Sequence, residues 1–551
     1  SDGLLTIDAK AGGSIELYDP IEVNQVNFDP VPTLPNRTFK MEVLGNGGDF
    51  FWGGDNVFQV GTYNSSIHSV TNQIILHPNS RTILLPGMTL HALMHDFVLE
   101  PDAYLEVSGY DDTGQNNALT LNSSLLEGTI KFNTLGQHIN DPSHVILTIT
   151  TPSASNVNIS NATIEINGFE YGSALNTGDT FYLMEIDETT TPGQIIGEPQ
   201  NTTASAMQNS TIMMTFAINK TADGTHLVAQ IEGVEVIPET KTLSEGYVAG
   251  LAFLAQIGSW LPDYTYQTAE LAIRNSESWQ AFAGFDASTF KAKTGSHVDV
   301  QGVNFVIGIA TKRENSLGNF LFGLYVQGGV SNYDVFGDFN ADDRPAMEGG
   351  GHIRSLGAGI MASQKFNNNF RLELSGRTGT LENNFKAENY PNAVNFVSYD
   401  LNTTYFGGHF GIGYEALLND FSRLDLSLKY YFSLLKGKTL DIGGGDKLIY
   451  EDSKSHRVRG GTRYTRKLSD SLSFYGGAYY DYEFTTKAEA KTLTYDLEIV
   501  APELKGGSGV FELGGVALTN DSEHLSVEFG LQGYVGILRG FSGGIRFGYE
   551  F

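Results

Sequence analysis

The chain closes on Phe541-Ser-Gly-Gly-Ile-Arg-Phe-Gly-Tyr-Glu-Phe551, and this stretch decides the reading of the fold. In an extended chain successive side chains point to opposite faces. Phe541, Ile545, Phe547, Tyr549 and Phe551 then share one face, while Ser542, Arg546 and Glu550 share the other. An aromatic, apolar face set against a charged one is what a strand needs when lipid lies outside it and a polar lumen inside.

Upstream of this stretch the same alternation recurs, giving twelve expected strands at 278–288, 299–312, 319–333, 351–366, 369–384, 396–416, 421–436, 447–467, 471–486, 507–518, 523–535 and 539–551. An even count suits a closed barrel of hairpins. In the strand from Phe421, Leu424, Leu426, Leu428, Tyr430 and Phe432 oppose Arg423, Asp425, Ser427, Lys429 and Tyr431. The expected lumen-facing charge is Arg371, Glu373, Arg377, Arg423, Asp425, Lys429, Arg457, Arg459, Arg463, Glu483, Arg546 and Glu550. Short connections at 367–369, 419–420 and 468–470 alternate with long ones at 335–350, 386–395 and 436–446. A soluble sandwich also has a solvated polar face, but its strands need not be long and aromatic at their ends.

Composition agrees. The chain has 551 residues, 64 Gly, 26 Tyr, 34 Phe and no Cys. A mean hydropathy of -0.16 is what a barrel gives when every second residue faces water. The formal charge of -29 is split unevenly. Residues 1–240 hold 6 basic and 28 acidic residues, a net of -22, and the remainder hold 28 and 35, a net of -7. Such an acidic first region excludes a nucleic-acid partner, since phosphate attracts the opposite sign.

Residues 1–240 read as short β segments with turns between them, among them 14–23, 72–76, 82–85, 104–107, 118–121, 129–132, 145–149, 163–166 and 180–186. The spacing suits a sandwich or a parallel β-helix, and Asn122, Asn133, Asn158, Asn161 and Asn167 at segment ends favour the helix.

Between them lies Leu243-Ser-Glu-Gly-Tyr-Val-Ala-Gly-Leu-Ala-Phe-Leu-Ala-Gln-Ile-Gly-Ser-Trp-Leu261, with Leu243, Tyr247, Leu251, Leu254 and Ile257 at helical steps. Ser244 and Glu245 are expected to cap its start and Pro262 to stop it, with Gly246, Gly250 and Gly258 narrowing one side. About 19 residues rise roughly 28 Å, the thickness of a membrane core. The reading is a helix threaded through the barrel lumen, with Leu243, Gly246, Gly250, Leu254 and Gln256 as residues of that lumenal helix. A lipid-facing helix, interrupted by Glu245 and Gln256, and a packed helix of a soluble domain are the alternatives.

Candidate chemistry in the first region is thin. His91 and His95 stand at i and i+4 with His77 upstream, but no Glu follows the first His, and on a strand both would point the same way without converging. Asp111-Asp112 and Asp187-Glu188 lack the spacing of a Ca²⁺ loop and read as solvated turns. No phosphate loop or serine elbow is found. The expectation is no catalytic activity, no cofactor and no metal.

The order of these parts resembles the monomeric autotransporters, the single-chain type V secretion family. The resemblance lies in the helical stretch 243–256, in Ser278-Trp-Gln-Ala-Phe-Ala-Gly284 opening the barrel, in Gly295-Ser-His-Val-Asp-Val300, and in the closing Phe547-Gly-Tyr-Glu-Phe551. It implies a passenger stem over 1–240, a linker and barrel-threading helix over 241–275 and a translocator barrel over 276–551, in the outer membrane with the passenger on the cell surface. It further implies that the barrel-assembly machinery reads Phe541, Ile545, Phe547, Tyr549 and Phe551, that periplasmic chaperones and outer-membrane lipid are partners, and that the passenger meets a surface ligand. Leu175-Asn-Thr-Gly-Asp-Thr-Phe-Tyr-Leu183 looks like part of the passenger end, near 160–237, that assists folding outside the cell. Some members cut themselves between neighbouring Asn residues at the helix; residues 242–273 contain none, so the expectation is an attached passenger. A channel or porin with an N-terminal β domain is the rival reading.

Overall fold

The computed structural model describes residues 3–24, 39–59, 72–133, 138–151, 155–169, 173–187, 193–273, 278–337, 346–388, 390, 397–518 and 525–550. They form two compact units, Ser1–Glu235 and Val236–Phe551.

In the first unit successive strands pair in parallel in two ladders. One joins Ser14–Leu17, Asp49–Trp52, Arg81–Leu84, Tyr104–Val107, Thr129–Phe132 and Thr163–Ile166. Their register stacks Leu17, Trp52, Leu84, Val107, Phe132 and Ile166 in a column. Trp52 to Ile166 in that column are buried, so period-2 alternation within each short strand builds a continuous apolar interior. The second ladder carries Ile7, Val43, Leu76, Leu99 and Leu126 in register in the same manner. Pairing turns antiparallel at the far end, where Thr180–Asp187 meets His226–Val236 and Thr203–Gln208 meets Ile212–Lys220. The expected strand at 14–23 is two, Ser14–Leu17 and Glu22–Asn24, because Pro20 interrupts it.

The second unit is a closed antiparallel barrel of 12 strands: β1 (Gln280–Lys293), β2 (His297–Asn315), β3 (Gly318–Gly337), β4 (Met347–Phe366), β5 (Phe370–Glu388), β6 (Ser398–Asn419), β7 (Ser422–Leu435), β8 (Ser453–Ser469), β9 (Leu472–Thr486), β10 (Gly506–Leu518), β11 (Leu525–Gly536) and β12 (Leu538–Tyr549). β12 pairs back onto β1, Phe285 opposite Ile545, which leaves no sheet edge. Leu372, Leu374, Leu426, Leu428, Phe511, Leu513, Phe529, Leu531, Phe541, Ile545 and Tyr549 are exposed on the outside, a surface that lipid would cover. Phe547 shares that outward alternation and is half-buried; Phe551 lies outside the described residues.

Sequence and structure part in one loop. The strand expected at 447–467 is divided: Asp446–Tyr450 leaves the barrel and pairs with Thr439–Gly443 and Ala490–Thr492 in a small three-stranded sheet, while β8 begins at Ser453. Of the long connections, 338–345, 389 and 391–396 lie outside the described residues.

Candidate functional site: a helix held in the barrel lumen

The helix runs further than Pro262 predicts. After α1 (Lys241–Trp260) the chain takes one wide turn at Leu261–Thr265 and resumes as α2 (Tyr266–Ala272). The wide turn supplies the slack a proline ring needs against the preceding carbonyls, so Pro262 deforms the helix without ending it. Ser244 and Glu245 do not cap it either: the helix begins at Lys241, and both lie buried inside α1. Glu245 accepts hydrogen bonds from Thr294 Oγ1 at 3.2 Å and from Ser296 Oγ, in the turn joining β1 to β2.

One wall of the lumen grips the helix by its main chain. Nδ2 of Asn383 donates to the Gly246 carbonyl at 2.8 Å, Oη of Tyr399 to Leu243 at 3.1 Å, Nη2 of Arg377 to Leu254 at 2.7 Å and Nη2 of Arg457 to Ala255 at 2.5 Å. The glycines permit this approach. A Cβ on Gly246 would lie 2.6 Å from Tyr399 Oη, one on Gly250 3.3 Å from Asn383 Nδ2, and one on Gly258 2.3 Å from Arg377 Nη2. Gln256 donates to Tyr534 Oη at 2.7 Å, and Tyr247 stacks on Tyr450 of the small sheet at 4.4 Å.

Around the wide turn the contacts become ionic. Asp263 accepts from Lys429 Nζ at 2.9 Å and Tyr431 Oη at 2.9 Å, and pairs with Arg459. Arg459 is held in turn by Asp481, its Nε and Nη2 at 2.6 and 2.7 Å from the two carboxylate oxygens. Arg463 makes the same two-pronged contact with Glu512 at 2.6 and 2.8 Å and also meets Gln267. Glu373 draws in Arg371 at 2.7 Å and Lys429 at 3.4 Å. The Arg546 guanidinium lies 3.3 Å from the centre of the Tyr264 ring. Buried charge is tolerated only when paired, and the described part of this network pairs opposite signs throughout.

Of the charges expected in the lumen, Arg377, Lys429, Arg457, Arg459, Arg463 and Arg546 touch the helix. Arg371, Glu373, Arg423 and Asp425 line a cavity beside Gln267 and Glu270 at the turn side of the lumen. Glu483 serves the wall, accepting from Ser455 Oγ at 3.0 Å, and Glu550 is buried beside the last strand. Leu243, Gly246, Gly250, Leu254 and Gln256 all lie on the helix inside the barrel. Sequence reasoning missed Asp263, Asn383 and Tyr399, while Tyr431 was placed on the polar face without its partner Asp263. Asp263 carried a signal, as the lone acid between Glu245 and Glu270 in a stretch otherwise without charge.

In the first unit the two histidines diverge. Within Thr89–Leu99, Ala92 pairs with Leu121 and Asp96 with Ser123, so a bulge falls between them and reverses the facing. His91 is exposed, whereas His95 is fully buried against the rings of Phe39 and Phe58 at 5.9 and 5.7 Å. Asp111 accepts from the Thr113 and Gln115 amides in a turn; Glu188 lies outside the described residues.

No protein-family profile and no curated protein matches the chain. Solved structures similar to it are the translocator domain of the autotransporter NalP from Neisseria meningitidis (11% identity, 57% of this chain and 99% of that one, TM-score 0.43), the transport unit of AIDA-I from Escherichia coli (15%, 57% and 100%, 0.40) and the beta domain of the Bordetella autotransporter BrkA (14%, 50% and 99%, 0.39). Among the described residues no helix is long and apolar enough to cross a membrane.

Proposed function

We propose that this chain is an outer-membrane autotransporter that exports its own N-terminal region and displays it at the cell surface. The observation that carries the reading is the helix of residues 241–272, buried along the lumen and bonded to it at both levels. A solute channel keeps its lumen open, whereas a barrel that has finished passing its own chain holds the trailing segment inside.

An extended passenger can cross a narrow polar pore, and folding outside releases burial free energy that opposes return. The in-register apolar columns of the first unit, which we read as a parallel β-helix, can form rung by rung as the chain emerges. The small residues of the helix then let the lumen close on it. We assign the passenger an adhesive or surface-contact role, with the outward aromatic face of β12 as the mark read by the assembly machinery.

The test is conductance. Reconstituted whole protein should conduct weakly, and a variant lacking residues 243–260 should conduct several-fold more. An open-pore conductance in the whole protein would favour a channel and defeat the proposal.

A further inference from the structure

The lumen wall formed by β12, β1, β2, β3 and β4 is built differently from the one that grips the helix. Along one line of directly opposed residues Gly544 faces Asp286, Asp286 faces Asn304, Asn304 faces Gly329 and Gly329 faces Ser355. In the next line Ser288 faces Gly302. Asp286, Ser288, Asn304 and Ser355 are only 3, 7, 2 and 8% exposed. Among the described residues Oδ2 of Asp286, Oγ of Ser288, Oγ of Ser355 and both polar atoms of the Asn304 amide have no hydrogen-bond partner.

One side chain that packs on this cluster cannot bond to it, although Ser542 stands opposite Ser288. The Phe253 ring of α1 packs onto the glycines, so that a Cβ on Gly302 would lie 3.1 Å from its Cε2 and one on Gly329 2.9 Å from its Cζ. On this wall Arg546 lies over the Tyr264 ring and 3.4 Å from Glu528, with its Nε and Nη1 making no hydrogen bond, and among the described residues no cation forms an ion pair with Asp286. Each buried polar group without a partner costs free energy, and an uncompensated carboxylate costs most. Water can satisfy hydroxyls and an amide, but a buried carboxylate calls for opposite charge.

The donors on offer at Asp286, Asn304 and Ser288 are a carboxylate, an amide carbonyl and a hydroxyl, an all-oxygen set suited to a hard cation. One carboxylate balances one positive charge. Directly opposed side chains such as Asp286 and Asn304 have Cβ atoms roughly 5 Å apart, Ser288 shares the face two residues along the strand from Asp286, and Gly302 opposite it leaves room between them, whereas Ser355 stands three strands from Asp286, out of reach of the same ion. We propose that Asp286, Asn304 and Ser288 hold a partly hydrated monovalent cation in the lumen wall behind Phe253. The site stands whether or not the chain exports a passenger, because it rests on the wall and the helix ring alone.

Rubidium is the probe. Crystals of the full chain grown with Rb⁺ as the sole alkali cation should show an anomalous peak within bonding reach of Asp286 and Asn304, absent from Asp286→Asn and reduced several-fold in Asn304→Ser. Heat-modifiable migration of both variants reports that the barrel has formed, and either variant alone suffices. Ordered water without Rb⁺ in the native site, meaning a neutral Asp286, would overturn the proposal, as would a peak undiminished in a folded variant.

Discussion

Asp263 and Lys429 meet at 2.9 Å where the helix widens after Pro262, and Arg459 closes on the same carboxylate from the next strand of the wall. One helix residue thus neutralises two barrel cations in a buried setting. Replacing it with Leu leaves Lys429 and Arg459 without their shared partner, and breaking a buried pair in this way costs about 3–5 kcal/mol. Asp263→Leu should lower the thermal midpoint of the barrel and raise its conductance. An unchanged midpoint would mean that Glu373 and Asp481 compensate fully.

The helix glycines should separate by position. At Gly258 a methyl group meets Arg377 Nη2 at 2.3 Å and displaces the group that bonds the Leu254 carbonyl. At Gly250 the nearest atom is 3.3 Å away. Gly→Ala gains about 1 kcal/mol of helix propensity at either site, and overpacking costs about 1–3 kcal/mol. Gly258→Ala should therefore loosen the plug, read as increased conductance, while Gly250→Ala stays near neutral; equal effects would contradict the packing.

The first unit carries a pH dependence at His95. Burial pushes its imidazole down to about 4, with nearby Asp96 acting in the opposite sense. The unfolded chain has a His pKa of about 6.5, so between these values the unfolded state binds the additional proton. The stability contributed by neutral His95 is present in full above about 6.5, falls as the pH drops through that window and is lost below about 4, a change of about 3 kcal/mol. Limited proteolysis of the N-terminal region in the full chain at pH 7 and pH 4.5 should show the loss. His95→Leu should remove the dependence; a native-like dependence in that variant would place the titrating group elsewhere.

On the outer face Leu428 is half exposed and midway along β7. Leu428→Arg should cost about 2–4 kcal/mol if it sits at mid-bilayer depth. Reduced heat-modifiable barrel in membranes is the expected result, and Ser427→Arg on the opposite face should behave differently.

Much of the barrel was legible from a single periodicity. Side chains alternate strictly along a strand, so Leu426, Leu428 and Tyr430 had to face away from Lys429 and Tyr431, and they do. The parallel ladders of the first unit were less legible. Strands such as Tyr104–Val107 are read correctly, but their partners are distant in sequence and set by register.

By itself, then, the chain determined the twelve alternating strands, the spanning helical stretch and the charges facing inward, because these follow from local geometry and from the opposition of lipid to water. Tertiary structure decided what those charges meet. The wide turn that accommodates Pro262 places Asp263 among Lys429, Tyr431 and Arg459. His95 turns inward because a bulge resets its facing, and residues 446–450 leave the barrel to pair elsewhere. Each outcome depends on a partner far away along the chain, and no local pattern specifies which partner closure of the barrel will bring within bonding distance.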